Sequence, residues 1–106
     1  MTQGDLWFCC DVSGHSMHKD PYATFANNGL YYLPLSGAKA GKAVRVASAP
    51  TAAELTGPSF APDGRSMFLS VQHPGETSKS LQALTSRWQF DAKLGIPRCA
   101  VVVLRK

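Results

Sequence analysis

Apolar residues fall along this chain in short runs of strand length, and none continues at the three-to-four spacing of a long helix. The pattern is clearest over 55–76, LTGPSFAPDGRSMFLSVQHPGE, where two such runs meet at Ala61-Pro62-Asp63-Gly64. Pro62 sets φ for a turn, Asp63 can accept hydrogen bonds from the backbone ahead, and Gly64 tolerates positive φ, so the segment predicts a hairpin with strands over 55–61 and 65–72. In the second strand Met67, Leu69 and Val71 alternate with Ser66, Phe68, Ser70 and Gln72, leaving some apolar surface on both faces. The run 98–104 places Val101, Val102 and Val103 in succession. Both patterns predict strands covered on two sides, with Phe60, Phe68, Leu69, Val71, Val101 and Val103 largely buried.

Three more strands are expected over 5–11, 29–35 and 43–48, with Pro34 and Pro50 marking strand ends or an edge. Between the first two, 12–26 reads as a loop. It carries His15, His18 and Asp20, but a histidine pair three apart shares a side only on a helix, so exposed histidines are expected here rather than ligands. Thr51-Ala52-Ala53-Glu54 reads as a single helical turn or a crossover. Over 77–96 strand alternation is lost, and Leu81, Leu84 and Trp88 stand at helix-like spacing, which predicts a loop with at most one short helix. The hairpin itself stops at His73-Pro74-Gly75-Glu76. Pro74 removes a ladder donor and Gly75 permits a sharp redirection, so His73 and Glu76 are presented at a strand end.

Composition adds bounds. With 106 residues, 44% hydrophobic and 17% charged, the chain suits one small folded domain rather than disorder. No run approaches the length of a membrane span, and residues 1–5 lack the basic and apolar parts of an export signal. The net charge of +4 weakly favours anionic partners. Its lysines and arginines are scattered, which predicts a solvated surface and no nucleic-acid stripe. Cys9, Cys10 and Cys99 are odd in number and lack CxxC spacing, which argues against a disulfide framework or structural zinc. Cys9 and Cys10 point to opposite faces of a strand. They read as small buried hydrophobes, with one metal-facing thiolate as the open alternative.

The segment TGPSFAPDGRSMFLSVQHPGE resembles the hairpin near the C-terminus of the PhoX-type alkaline phosphatases, a family of secreted bacterial proteins. Gly4-Asp5-Leu6-Trp7 with Asp11, Asn27-Asn28-Gly29-Leu30-Tyr31, Ser86-Arg87-Trp88, and Pro97-Arg98 with Val101-Val102-Val103 extend the resemblance over nearly the whole chain. It implies a β-propeller, phosphomonoesterase activity on phosphate esters, calcium and iron as cofactors, and export to the periplasm by the twin-arginine route. Without an export signal of its own the chain is expected to be cytoplasmic as written, or a fragment of an exported protein. On that pattern the fold is all-β and antiparallel, with six strands forming two incomplete four-stranded blades: 1–50, lacking its inner strand, and 51–106, lacking its outer strand and carrying the long loop 77–97. Two blades cannot close a ring, so the chain reads as the C-terminal portion of a longer protein, inactive by itself. The alternative is a six-stranded sandwich or open sheet that hides its edges by self-association.

Of the seven acidic residues, Asp63 is committed to its turn. Asp11, Glu54 and Glu76 fall at strand or loop ends and are the candidate metal ligands; for Glu54, a solvated loop residue is the competing reading. His73 and Arg98 are the candidate phosphate-facing groups. A multi-cation phosphatase site needs a dense set of oxygen ligands, and the family's principal ligands are expected upstream of this portion. The second function class is a catalytically silent module or remnant that completes a propeller by pairing with an upstream segment or with itself.

Overall fold

Alternation of side chains across each strand decides which residues meet, and it builds two sheets that share one core. The computed structural model describes residues 4–106, so the reading of a leader over residues 1–3 lies outside the described residues. The first sheet has the order β1 (Leu6–Cys9), β2 (Gly29–Leu33), β3 (Val44–Ser48). The second has the order β4 (Glu54–Phe60), β5 (Ser66–Gln72), β6 (Ala100–Arg105). All pairings are antiparallel. The protein is all-β, as its sequence predicts, and two three-stranded sheets of consecutive strands are compatible with propeller blades.

The core is built from one face of each sheet. Leu30, Leu55, Met67, Leu69 and Val71 are buried together with Ala49 and Ala53, and Trp7, Cys9, Trp88, Val102 and Leu104 pack against them. Fully burying each large aliphatic side chain stabilises the fold by about 2 kcal/mol. Trp7 joins the sheets through aromatic contacts: its ring lies 5.0 Å from that of Tyr32 and 5.9 Å from that of Phe60.

The two-sided burial expected of the second sheet is not found. Leu69 and Val71 are buried, but Phe60 is 43%, Phe68 41%, Val101 65% and Val103 51% exposed. Strand β6 alternates after all, with Val102 and Leu104 meeting the core while Val101 and Val103 face away. Three β-branched residues in a row measure strand preference, and they do not show that a second layer is present to cover the outer face.

The turns follow their sequence chemistry. Asp63 Oδ1 accepts from the N–H groups of Arg65 and Ser66 at 2.8 and 3.1 Å, which fixes the β4–β5 turn. Of the two long loops, 12–26 departs from expectation and 77–97 agrees with it. Residues Gly14–Met17 form one short helical turn, α1, containing His15, with His18 at its end. Over 77–97 the described residues show turns and a single Asp91–Ile96 bridge, and no helix.

Candidate functional site

Pairing of Glu54 with Gln72 opens β4 where β5 ends, so the chain leaves the hairpin directly beside the Glu54 carboxylate. The next residue, His73, has φ of 26°, a left-handed conformation that costs a non-glycine residue about 1 kcal/mol or more. Its N–H donates to Cys99 Sγ at 3.2 Å. Pro74 then ends the ladder. Gly75, at φ 82°, donates its N–H to Ala52 O at 2.6 Å, and the Glu76 N–H returns to His73 O at 3.0 Å. The tight turn carries Glu76 back against His73.

The result is an imidazole between two carboxylates. His73 Nε2 lies 3.3 Å from Glu54 Oε2, and His73 Nδ1 lies 3.1 Å from Glu76 Oε2. The other Glu76 oxygen accepts the Gly14 N–H at 2.8 Å, which ties the start of α1 to the hairpin. One potential ligand atom from each of Glu54, His73 and Glu76 falls within 4.8 Å of the others. His73 is about half exposed, Glu76 less so, and the Glu54 side chain only 9% exposed.

Burial raises the Glu54 carboxyl to about 7, reinforced by a hydrogen bond with the Asp11 carboxyl and by the negative charges of Asp11 and Glu76; the charge of His73 acts in the opposite direction. A hydrogen bond between two carboxyls requires one proton shared between them, so near neutral pH this corner readily exchanges a proton.

Asn28 brings Asp11 to Glu54. Its buried amide accepts from Val12 N–H at 2.8 Å, donates to Val12 O at 2.9 Å and to Ala53 O at 3.4 Å. It thereby joins the residue after Asp11 to the residue before Glu54. In sequence, Asn27-Asn28-Gly29 ahead of β2 reads as a turn. The only signal for Asn28 is an Asn-Asn-Gly opening a strand, which does not distinguish a turn residue from a buried bridging amide.

Of the five candidate site residues, Asp11, Glu54, His73 and Glu76 are brought together. Glu54 lies in β4 and is buried, not in a solvated loop. The Arg98 guanidinium is instead directed to Asp91, at 3.2 Å. His15 and His18 stay outside the cluster. Cys9 packs on the core, where burial and the neighbouring Cys10 push its thiol up, while Cys10 Sγ accepts the Gly29 N–H at 3.1 Å. Beside the cluster an open cleft of about 360 Å³ is walled by His73, Pro74, Glu76, Leu81, Leu84 and Ile96.

A family model described as alkaline phosphatase PhoX matches residues 1–75, a stretch that holds β1 to β5 and includes Asp11, Glu54 and His73. Glu76 lies one residue beyond it. No characterised protein and no solved structure matches the chain. With well over half of its length, from the first strand to the edge of the carboxylate and imidazole cluster, fitting a single family, the chain belongs to the PhoX alkaline phosphatase family.

Proposed function

We propose that this chain supplies part of a PhoX-type metal-dependent phosphatase: two incomplete propeller blades, 1–50 and 51–106 with the loop 77–97, that do not hydrolyse phosphate esters by themselves. The observation that carries the proposal is the convergence of Glu54, His73 and Glu76, with Asp11 behind them, at the end of the hairpin that closes the family match. In this reading the cluster forms one wall of a cation site facing a phosphate monoester. The apolar sides of the adjoining cleft receive the organic part of the ester, and Arg98 meets the phosphate when it leaves Asp91.

The donor set suits the family's two metals unequally. Iron accepts carboxylate and imidazole together. Calcium takes about six to eight oxygens, so the carboxylates of Asp11, Glu54 and Glu76 would need further oxygens from elsewhere. When bound, such a cation neutralises the charge on phosphoryl oxygens. Glu54, as a carboxylate, Glu76 and one ring nitrogen of His73 would hold the cation, and Asn28 holds Asp11 and Glu54 in place. Substrates and cellular address follow the family, placing the chain among secreted proteins. No helix among the described residues is long and apolar enough to cross a membrane.

A second reading is favoured by a specific observation: both His73 nitrogens already face carboxylates, and Glu76 holds the Gly14 N–H. The same atoms then form a charge network that fastens 12–18 to the hairpin without any ligand. Calorimetric titration with iron and calcium separates the two, comparing the chain with a Glu54→Gln, His73→Ala, Glu76→Gln triple variant. Saturable binding lost in the variant supports the cation wall, and absence of binding supports the network. Hydrolysis of p-nitrophenyl phosphate is tested in the same samples. None is expected; metal-dependent turnover abolished by the triple variant would show that the chain is an enzyme in its own right.

A further inference from the structure

The outer side of the second sheet is apolar and uncovered, and its last strand has an open edge. Phe68 and Val103 sit directly opposite one another on that side, with Val101 next along β6. The free backbone groups can be assigned from the ladder. Lys106 N–H donates to Arg65 O at 2.9 Å, and bonded pairs alternate along antiparallel strands. Leu104, Val102 and Ala100 therefore direct their backbone groups to β5. Val101, Val103 and Arg105 direct theirs outward, six donors and acceptors with no strand beside them among the described residues.

Of the other three outer strands, β1 is only four residues long, and β3 and β4 are blunted. In β4, Gly57 and Pro58 interrupt the ladder at an irregularity between Thr56 and Ser59, and Pro58 has no N–H to offer. In β3, the register is broken by a bulge opposite Leu30 and Tyr31, and Arg45 stands mid-strand. Strand β6 has six unbroken pairs, no proline, and no charge before Arg105. Such an edge is a template for another strand.

The shape of the molecule indicates how much surface is spare. The chain exposes 6970 Å². A compact monomer of its mass exposes about 5,800 Å². Its radius of gyration is 15.5 Å, against about 13 Å for a compact chain of this length. The surplus exceeds the roughly 800 Å² that each partner hides in a standard interface.

We propose that the β6 edge, with the Phe68, Val101 and Val103 face beside it, pairs antiparallel with β6 of a second copy of this chain, extending two three-stranded sheets into one of six strands about a twofold axis. A twofold at Val103 satisfies all six outward groups and sets Arg105 opposite Val101 of the second copy, so the arginine stem covers a valine. A parallel arrangement would stack Arg105 on its own counterpart, placing like charges opposite. An isologous contact of this kind closes on itself and leaves no edge of β6 for a further copy. In the propeller reading the missing outer strand of the second blade would take this same edge, so that strand and a second copy compete for β6.

Sedimentation velocity over a wide concentration range tests it, together with residue-resolved amide hydrogen exchange. The unmodified chain is expected to dimerise, and a Val101→Lys, Val103→Lys chain, altered only on the exposed face, to lose the dimer while keeping its circular dichroism. In the dimer the amides of Val101, Val103 and Arg105 become slow in proportion to dimer population, whereas those of Val102 and Leu104 are slow in monomer and dimer alike. Exchange needs no variant, so it decides the matter even if the lysine chain does not fold. A chain monomeric at every concentration overturns the proposal, as does a folded lysine variant that dimerises undiminished, or fast exchange at Val101 and Val103 within the dimer. Filaments point to a heterologous contact, and protection of these amides in a monomer points to another segment on the edge; either overturns the twofold β6 pairing.

Discussion

Replacing Glu54 by glutamine should remove a pH dependence of stability that the structure builds into this position. The folded protein raises the Glu54 carboxyl from 4.5 to about 7, chiefly by burial. A carboxyl that holds its proton more tightly when folded favours the folded state below its unfolded value, and that advantage is lost as pH rises through the folded value. Stability should therefore fall between about pH 4.5 and pH 7, by up to about 3 kcal/mol if the whole difference is expressed. Glutamine keeps the size of the side chain, can still bond Asp11, and cannot ionise. Urea unfolding followed at a series of pH values, at one fixed protein concentration, gives the slope for each chain. The unmodified protein should lose stability across this window and Glu54→Gln should be nearly flat. Equal slopes, or stability that rises with pH in the unmodified chain, would refute the assignment of a raised carboxyl to Glu54.

Three further outcomes are expected. Leu69→Ala should destabilise the fold by about 2–5 kcal/mol by urea unfolding, while Phe68→Ala, on the uncovered face, should cost about 1 kcal/mol or less when the chain is monomeric. Asn28→Ala should cost about 1–3 kcal/mol, because Val12 N–H and O lose their partner, and nuclear magnetic resonance titration should show the Glu54 carboxyl falling as Asp11 moves away. Exposed Cys99 should react first with a thiol reagent, and Cys9, whose thiol is pushed up by burial, last, as peptide mapping after partial labelling would show.

The six strands were legible because each carries its own local signal, and the Asp63 turn is local as well. What local signals cannot report is whether a second layer exists. Phe68 and Val101 look the same in sequence whether a sheet covers them or not, and in the structure they are exposed. The same division runs through the site. Glu54, His73 and Glu76 could be singled out because proline and glycine mark the strand end that presents them. Asn28 could not, because its function depends on Val12, 16 residues before it, and Ala53, 25 residues after it, meeting at one amide that bonds both. Arg98 stands just ahead of β6 in sequence, but its direction is decided by Asp91 on a loop without regular structure.

The long connection 73–99 between β5 and β6 has a consequence for the order in which the protein assembles. Closing a loop of that length costs about 1.5 kcal/mol more chain entropy than closing the short turn at 61–65. The β4–β5 hairpin therefore forms ahead of β6, leaving Met67, Leu69 and Val71 open on one side until Val102 and Leu104 arrive. Glu54, His73 and Glu76 all belong to the early hairpin and its immediate exit. The charged cluster is thus among the first tertiary features to be assembled, before the core beneath it has closed.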